Sequence, residues 1–118
     1  MKRLEWVGDS LNKLKRFPNE ILRPIGFALY QVQGGETPNN AKPLKGLDGV
    51  YEIVQSYDTD TYRAVYIAKL KHAIYVLHCF QKKSKKGMAT PPKDIQLIER
   101  RLKQAKAHDA AREENSDG

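Results

Sequence analysis

The stretch "VYEIVQSYDTDTYRAVYIAKLKHAIYVLHCF", Val50 to Phe80, decides the fold. It holds three runs, Val50–Tyr57, Thr61–Leu70 and Ala73–Phe80. All three are rich in Val, Ile, Tyr and Phe, side chains that pack well on a pleated, half-buried surface. Only Asp-Thr-Asp and Lys-His separate them. Links that short can join only antiparallel neighbours, so the stretch reads as a three-stranded meander. The third run is almost unbroken in apolar residues, which predicts burial on both faces.

Upstream, "RLEWV" (Arg3–Val7) reads as a short strand. Asp9 or Ser10 can cap a helix with Leu11, Leu14 and Phe17 on one face. A second helix starts near Pro18 and repeats Ile21, Ile25, Ala28, Leu29 and Val32 at helical spacing. Pro24 removes a helix donor, so the helix bends or truly begins there. Gly34-Gly35 closes it. The two helices form a hairpin. Residues 36–49 read as loop.

Downstream of Phe80, residues 81–92 read as a second loop. A last helix follows, with Ile95, Ile98, Leu102 and Ala105 on one face. Residues 109–118, "DAAREENSDG", have no apolar residue larger than Ala. They are expected to form a disordered acidic tail that can be removed without consequence. The expected fold class is α+β: a small, mostly antiparallel twisted sheet made of the short N-terminal strand and the meander. The helical hairpin and the C-terminal helix pack on one side of it, in one domain over residues 1–108.

The 118 residues carry a net charge of +7. The tail holds four acids and one Arg, so removing its −3 leaves +10 on residues 1–108. Nine Lys or Arg and two acids lie between Lys82 and Lys106. Clustered positive charge on a small domain points to a polyanionic partner. No run is apolar enough to span a bilayer. No h-region follows the basic start, so no signal peptide is expected and the expected compartment is the cytoplasm. The one cysteine, Cys79, cannot form an internal disulfide.

His72, His78, Cys79 and His108 are the soft ligands, and none of their spacings is that of a zinc site, so neither metal nor cofactor is expected. Cys79 lies inside an apolar strand and reads as a small core residue. Arg63 is the unusual residue, an arginine within a strand that otherwise asks to be buried. It could clamp a phosphate bidentately, or pair with nearby Asp58 or Asp60. RNA cleavage by the neighbouring 2′-hydroxyl needs no metal. It needs a group to move protons and cations to stabilise the phosphorane. Tyr62, Tyr66 or His78 could move protons, and Phe80 could stack on a base.

The segments "LKGLDGVYEI", "YRAVY", "IYVLHCFQKKSKKGMATPPKDI" and the late "ERR" resemble the RelE/ParE toxin superfamily, in particular its phage-derived, HigB-like branch. The resemblance covers residues 3–107. It implies a type II toxin that acts as an mRNA interferase, an endoribonuclease working on ribosome-bound mRNA and halting translation. A cognate antitoxin of helix-turn-helix, HigA-like type would neutralise it. It implies Arg63, Lys82 and Lys83 as catalytic residues; with His78 and Tyr66 as the proton-transfer candidates read from the residues, they make the expected catalytic set. Lys45, Phe80, Lys85, Lys86, Arg100 and Arg101 would be RNA contacts. ParE-type relatives inhibit DNA gyrase instead, and a non-catalytic binding module of the same fold is a further alternative. Where RelE-type enzymes carry strand lysines, this chain has Glu52 and Val54, and no Tyr follows Tyr75.

Overall fold

The computed structural model describes residues 1–83 and 89–116, the last four of these as backbone only. The elements run β1 (Leu4–Trp6), α1 (Ser10–Lys15), α2 (Asn19–Gln33), β2 (Ala41–Pro43), β3 (Val50–Tyr57), β4 (Asp60–Ile67), β5 (Ile74–Lys82) and α3 (Pro92–Ser116). The meander forms as its short links require, with β3, β4 and β5 antiparallel neighbours. β1 adds to β5 in parallel, and β2 adds to β3 in antiparallel fashion. The sheet order is therefore β1-β5-β4-β3-β2. β2 lies in the segment expected to be loop. Its residues Ala-Lys-Pro carry no alternating apolar pattern, so only tertiary pairing with Tyr51–Ile53 identifies it as a strand.

The helices cover both faces of the sheet, not one. Leu14, Phe17, Ile21, Ile25 and Leu29 of the N-terminal hairpin pack on Ile53, Tyr62, Ala64, Val76 and Cys79. Ile98, Leu102 and Ala105 of α3 pack on Val50, Val65, Ile67, Tyr75 and Leu77 from the opposite side. Two covered faces explain why Ile74–Phe80 is buried at every position. They also supply the apolar surface that a chain of this size needs.

Successive side chains of a strand point to opposite faces. β5 breaks that rule once. Val65 pairs with His78, but Tyr66 pairs with Val76, so Leu77 is an extra residue in a β-bulge. As a result Leu77 and His78 both turn toward α3, while Cys79 faces the N-terminal hairpin.

Helix ends also differ from expectation. Asp9 stands at the α1 N-cap without a capping hydrogen bond, because its carboxylate is drawn to Arg101 at 2.7 Å. Ser10 is buried and donates to the Val76 carbonyl instead. α2 runs unbroken through Pro24. α3 does not stop at His108: residues 109–116 are helical, where composition predicted a disordered tail. Asp109 is the cause. It is buried, and its carboxylate accepts from the Lys71 and His72 backbone N–H groups and from the Tyr75 hydroxyl, at 3.0, 2.9 and 3.0 Å. Arg112, one turn later, bonds to Glu5 of β1.

Candidate nucleic-acid interface

The site is built where β5 ends and α3 begins. Arg63 on β4 and Glu52 on β3 are diagonal neighbours, since Arg63 pairs with Val54 and Glu52 with Val65. Arg63 is completely buried, and its Nη1 donates to Glu52 Oε1 at 2.9 Å. Thr90 donates to Glu52 Oε2 at 2.9 Å and lies 3.4 Å from Arg63 Nη1. Lys42 Nζ stands 3.7 Å from the same carboxylate. Arg63 thus pairs with neither Asp58 nor Asp60. Those two flank the β3–β4 turn, and Asp58 adopts φ 58° there. A buried pair of this kind is costly to desolvate, and its cost is offset only when the remaining polar atoms are bonded, as Thr90 does here.

On the same face, His78 Nε2 lies 2.8 Å from Asp94 Oδ1 in the first turn of α3. The His78 ring stacks on Phe80 with centroids 4.9 Å apart and planes 17° off parallel. Burial lowers the His78 pKa below its usual value, and the Asp94 hydrogen bond only partly opposes this. This shift favours the neutral imidazole. Its Nδ1 is buried with no hydrogen-bond partner among the described residues. An Nε2–H donated to Asp94 leaves that Nδ1 as an acceptor. Without the bulge at Leu77, His78 would point into the opposite core; the sequence holds no signal for this reversal.

Two clefts flank the first turn of α3. One, of about 500 Å³, lies on the β2 side and is lined by Lys42, Lys45, Glu52, Thr90 and Ile95. The other, of about 360 Å³, lies between α1 and α3 over the end of β5. Lys13, Arg16, Lys93, His78, Phe80 and Asp94 are among its lining residues. Lys82 closes the end of β5, where its Nζ donates to the Ala89 carbonyl at 2.7 Å. Lys83 is exposed beside it, as are Lys45 and Arg100.

Several expected residues are placed elsewhere. Tyr66 is on the opposite face, stacked on Tyr51 at 5.9 Å, and burial pushes its hydroxyl up to about 12. Arg101 is held by structural contacts: Nη1 donates to the Leu77 carbonyl at 2.9 Å and Nη2 meets Asp9 at 2.7 Å. Its guanidinium lies against Gly8, where an added Cβ would approach within 2.7 Å. Gly8 also has φ +57°, a backbone conformation that favours glycine. Lys85 and Lys86 lie outside the described residues. Burial pushes the Cys79 thiol up to about 12, which makes it inert as a nucleophile. Among the described residues, no group of three or more His, Cys, Asp or Glu could hold a metal ion. No helix among them is long and apolar enough to cross a membrane. Sequence reasoning missed Lys42, Lys13, Arg16 and Lys93 as members of the basic face, because they come from four separate elements or links.

A parallel β1 beside an antiparallel meander, with a helical hairpin on one face and a long C-terminal helix on the other, is a RelE-like fold. The structure of a double arginine-to-alanine mutant of E. coli toxin RelE in the free state is similar, with a TM-score of 0.52 at 19% identity. The match covers 66% of this chain and 80% of that one. The chain belongs to the family described as phage derived protein Gp49-like, whose model matches residues 12–103. Among curated proteins, none matches it.

Proposed function

We propose that this chain is the toxin of a type II toxin–antitoxin system and that it cleaves mRNA on the ribosome without a metal. One observation carries the reading. Around the first turn of α3, cations from several elements outnumber the carboxylates among them, over a buried Arg63–Glu52–Thr90 network, on a RelE-type fold. Such a surface suits a phosphodiester backbone.

In this reading Lys82 and Lys83 stabilise charge on the phosphorane. Neutral His78, held by Asp94, is the proton-transfer group, and Phe80 supports it by stacking. Arg63 does not reach the substrate. It is a positioning residue that fixes Glu52, the carboxylate lining the β2-side cleft. Lys45, Arg100, Lys85 and Lys86 contact RNA backbone. Tyr66 takes no part, and Arg101 acts only by holding α3. The family resemblance supports an antitoxin partner of helix-turn-helix, HigA-like type and a cytoplasmic site of action.

The test is expression without antitoxin, following translation and DNA supercoiling together. Translation should fail first, with mRNA cut in the ribosomal A site. Loss of supercoiling without cleavage would move the chain to the ParE-like gyrase inhibitors. Neither effect would leave a non-catalytic binding module.

A further inference from the structure

The α1–α3 cleft is not explained by catalysis alone. Three of its cations, Lys13, Arg16 and Lys93, come from α1, the turn after it and the start of α3. Among the described residues none of the three is within ion-pair distance of a carboxylate. The one acid in the wall, Asp94, is already engaged by His78 at 2.8 Å. Separate elements have therefore brought three like charges together against the single carboxylate of Asp94, an excess that costs free energy unless an anion arrives. The floor is the His78–Phe80 stack, whose Nδ1 is the buried, unpartnered acceptor noted above. A planar pair beneath a ring of cations suits one chemical unit in particular: a nucleobase with its flanking phosphates. The cleft volume of about 360 Å³ falls within the range of small-ligand sites.

We infer that the groove between α1 and α3 is a separate subsite for a nucleotide of single-stranded RNA, with Lys13, Arg16 and Lys93 as its phosphate contacts. The inference rests on the proposed action on RNA, but it assigns a binding surface on the far side of α3 from the Lys42–Lys45 cleft. The strand would then cross the first turn of α3, with one stretch of backbone in each cleft.

The probe is a short single-stranded RNA whose riboses are 2′-O-methylated, so that it binds without being cut. Its binding to the purified full chain is followed by fluorescence anisotropy from 0.05 to 0.3 M salt, roughly the range over which counterion release is read. Each lost phosphate contact on a single strand lowers the log–log salt slope by about 0.7, which at 0.1 M salt is about fivefold in affinity. Lys13→Gln/Arg16→Gln should therefore lose about 1.4 in slope and on the order of 25-fold in affinity, and Lys93→Gln half that slope. The charge-matched control is Lys103→Gln/Lys106→Gln, on a different face of α3, and it should change little. Thermal melts should match for all variants, since the replaced side chains make no ion pair among the described residues. Equal losses in the groove and control pairs would overturn the subsite, because only net charge would matter. Unchanged binding by the groove variants would overturn it too. Parent-protein cleavage of A-site mRNA is measured in parallel. If the parent does not cleave but the groove variants still lose RNA binding selectively, the subsite stands and the endonuclease reading falls.

Discussion

The two ends of α3 each rest against a buried carboxylate, and they treat it differently. At the C-terminal end, Asp109 is satisfied by two backbone N–H groups and the Tyr75 hydroxyl, all internal to the fold. At the N-terminal end, Glu52 is satisfied by Arg63 and Thr90, with Lys42 3.7 Å away and Lys45 lining the same cleft. A carboxylate saturated by backbone donors is a latch: it fixes the β4–β5 link to the helix and offers nothing to a ligand. A carboxylate saturated by a guanidinium, with cations left over, keeps a surface positive while ordering what lies beneath it. The same helix is thus a clamp at one end and a platform at the other.

The largest effect that could break this contrast is loss of the buried pair. Glu52→Ala removes the buried carboxylate that faces the fully buried Arg63 and should cost about 3–5 kcal/mol, read as a fall in urea midpoint at constant slope. Replacing both partners, Glu52→Leu with Arg63→Met, should recover most of that stability, because an apolar pair avoids desolvation. It should not recover cleavage. If the single variant costs less than about 1 kcal/mol, Arg63 reaches solvent and the network is not the support described.

Next comes the latch. Asp109→Ala leaves the Lys71 and His72 N–H groups and the Tyr75 hydroxyl without their acceptor, at a cost of about 2–3 kcal/mol. Truncation after His108 should cost at least as much, since it also removes the Arg112–Glu5 contact. The pH dependence follows from the carboxyl's shift. Burial pushes the Asp109 pKa up, but the bonds from His72, Tyr75 and Lys71 together hold it below the usual value. Its contribution is therefore complete above the unfolded pKa of about 3.9 and is lost as pH falls through the lower folded pKa. Asp109→Asn should flatten the acid limb of the stability curve in that window. An unchanged acid limb would mean that Asp109 is not charged in the native protein.

The smallest effect sharpens the contrast between neighbours on α3. Arg101→Gln should lose about 1–2 kcal/mol of stability through its bonds to Leu77 and Asp9, with no change in the salt dependence of RNA binding. Arg100→Gln should do the reverse, with melting nearly unchanged and a slope lower by about 0.7. Identical behaviour of the two would remove the distinction between structural and surface arginines.

How far the sequence could be read follows the same division. The meander was legible because strand period and two short links are local facts. The burial of Ile74–Phe80 on both faces was legible because no polar residue interrupts that run before His78. The partner of Arg63 was not, since nearness in sequence pointed to Asp58 and Asp60. Strand register alone brings Glu52 diagonally opposite. The direction of His78 was not legible either, because one extra residue at Leu77 reverses the alternation. Asp109 hid inside a polar, acidic segment: its role depends on two N–H groups 37 and 38 residues away. Composition assigns loop or disorder by the absence of apolar residues, and it cannot see an acceptor that anchors a helix to the core. Lys82 and Lys83 stood out because like charges at a strand end are visible in one dimension. Lys13, Arg16 and Lys93 gather only in three.

The central claim, that the N-terminal end of α3 acts on RNA and the C-terminal end only holds the fold, is tested by single-turnover cleavage of A-site mRNA on programmed ribosomes. The assay uses saturating protein at a temperature well below every variant's melting point. Lys82→Ala and Lys83→Ala should each lower the rate at full occupancy, because a group that stabilises the transition state acts on the chemical step. Asp109→Asn should cleave at the parent rate although it melts earlier. Parent-like rates for both lysine variants, or a slowed chemical step in folded Asp109→Asn, would contradict the account.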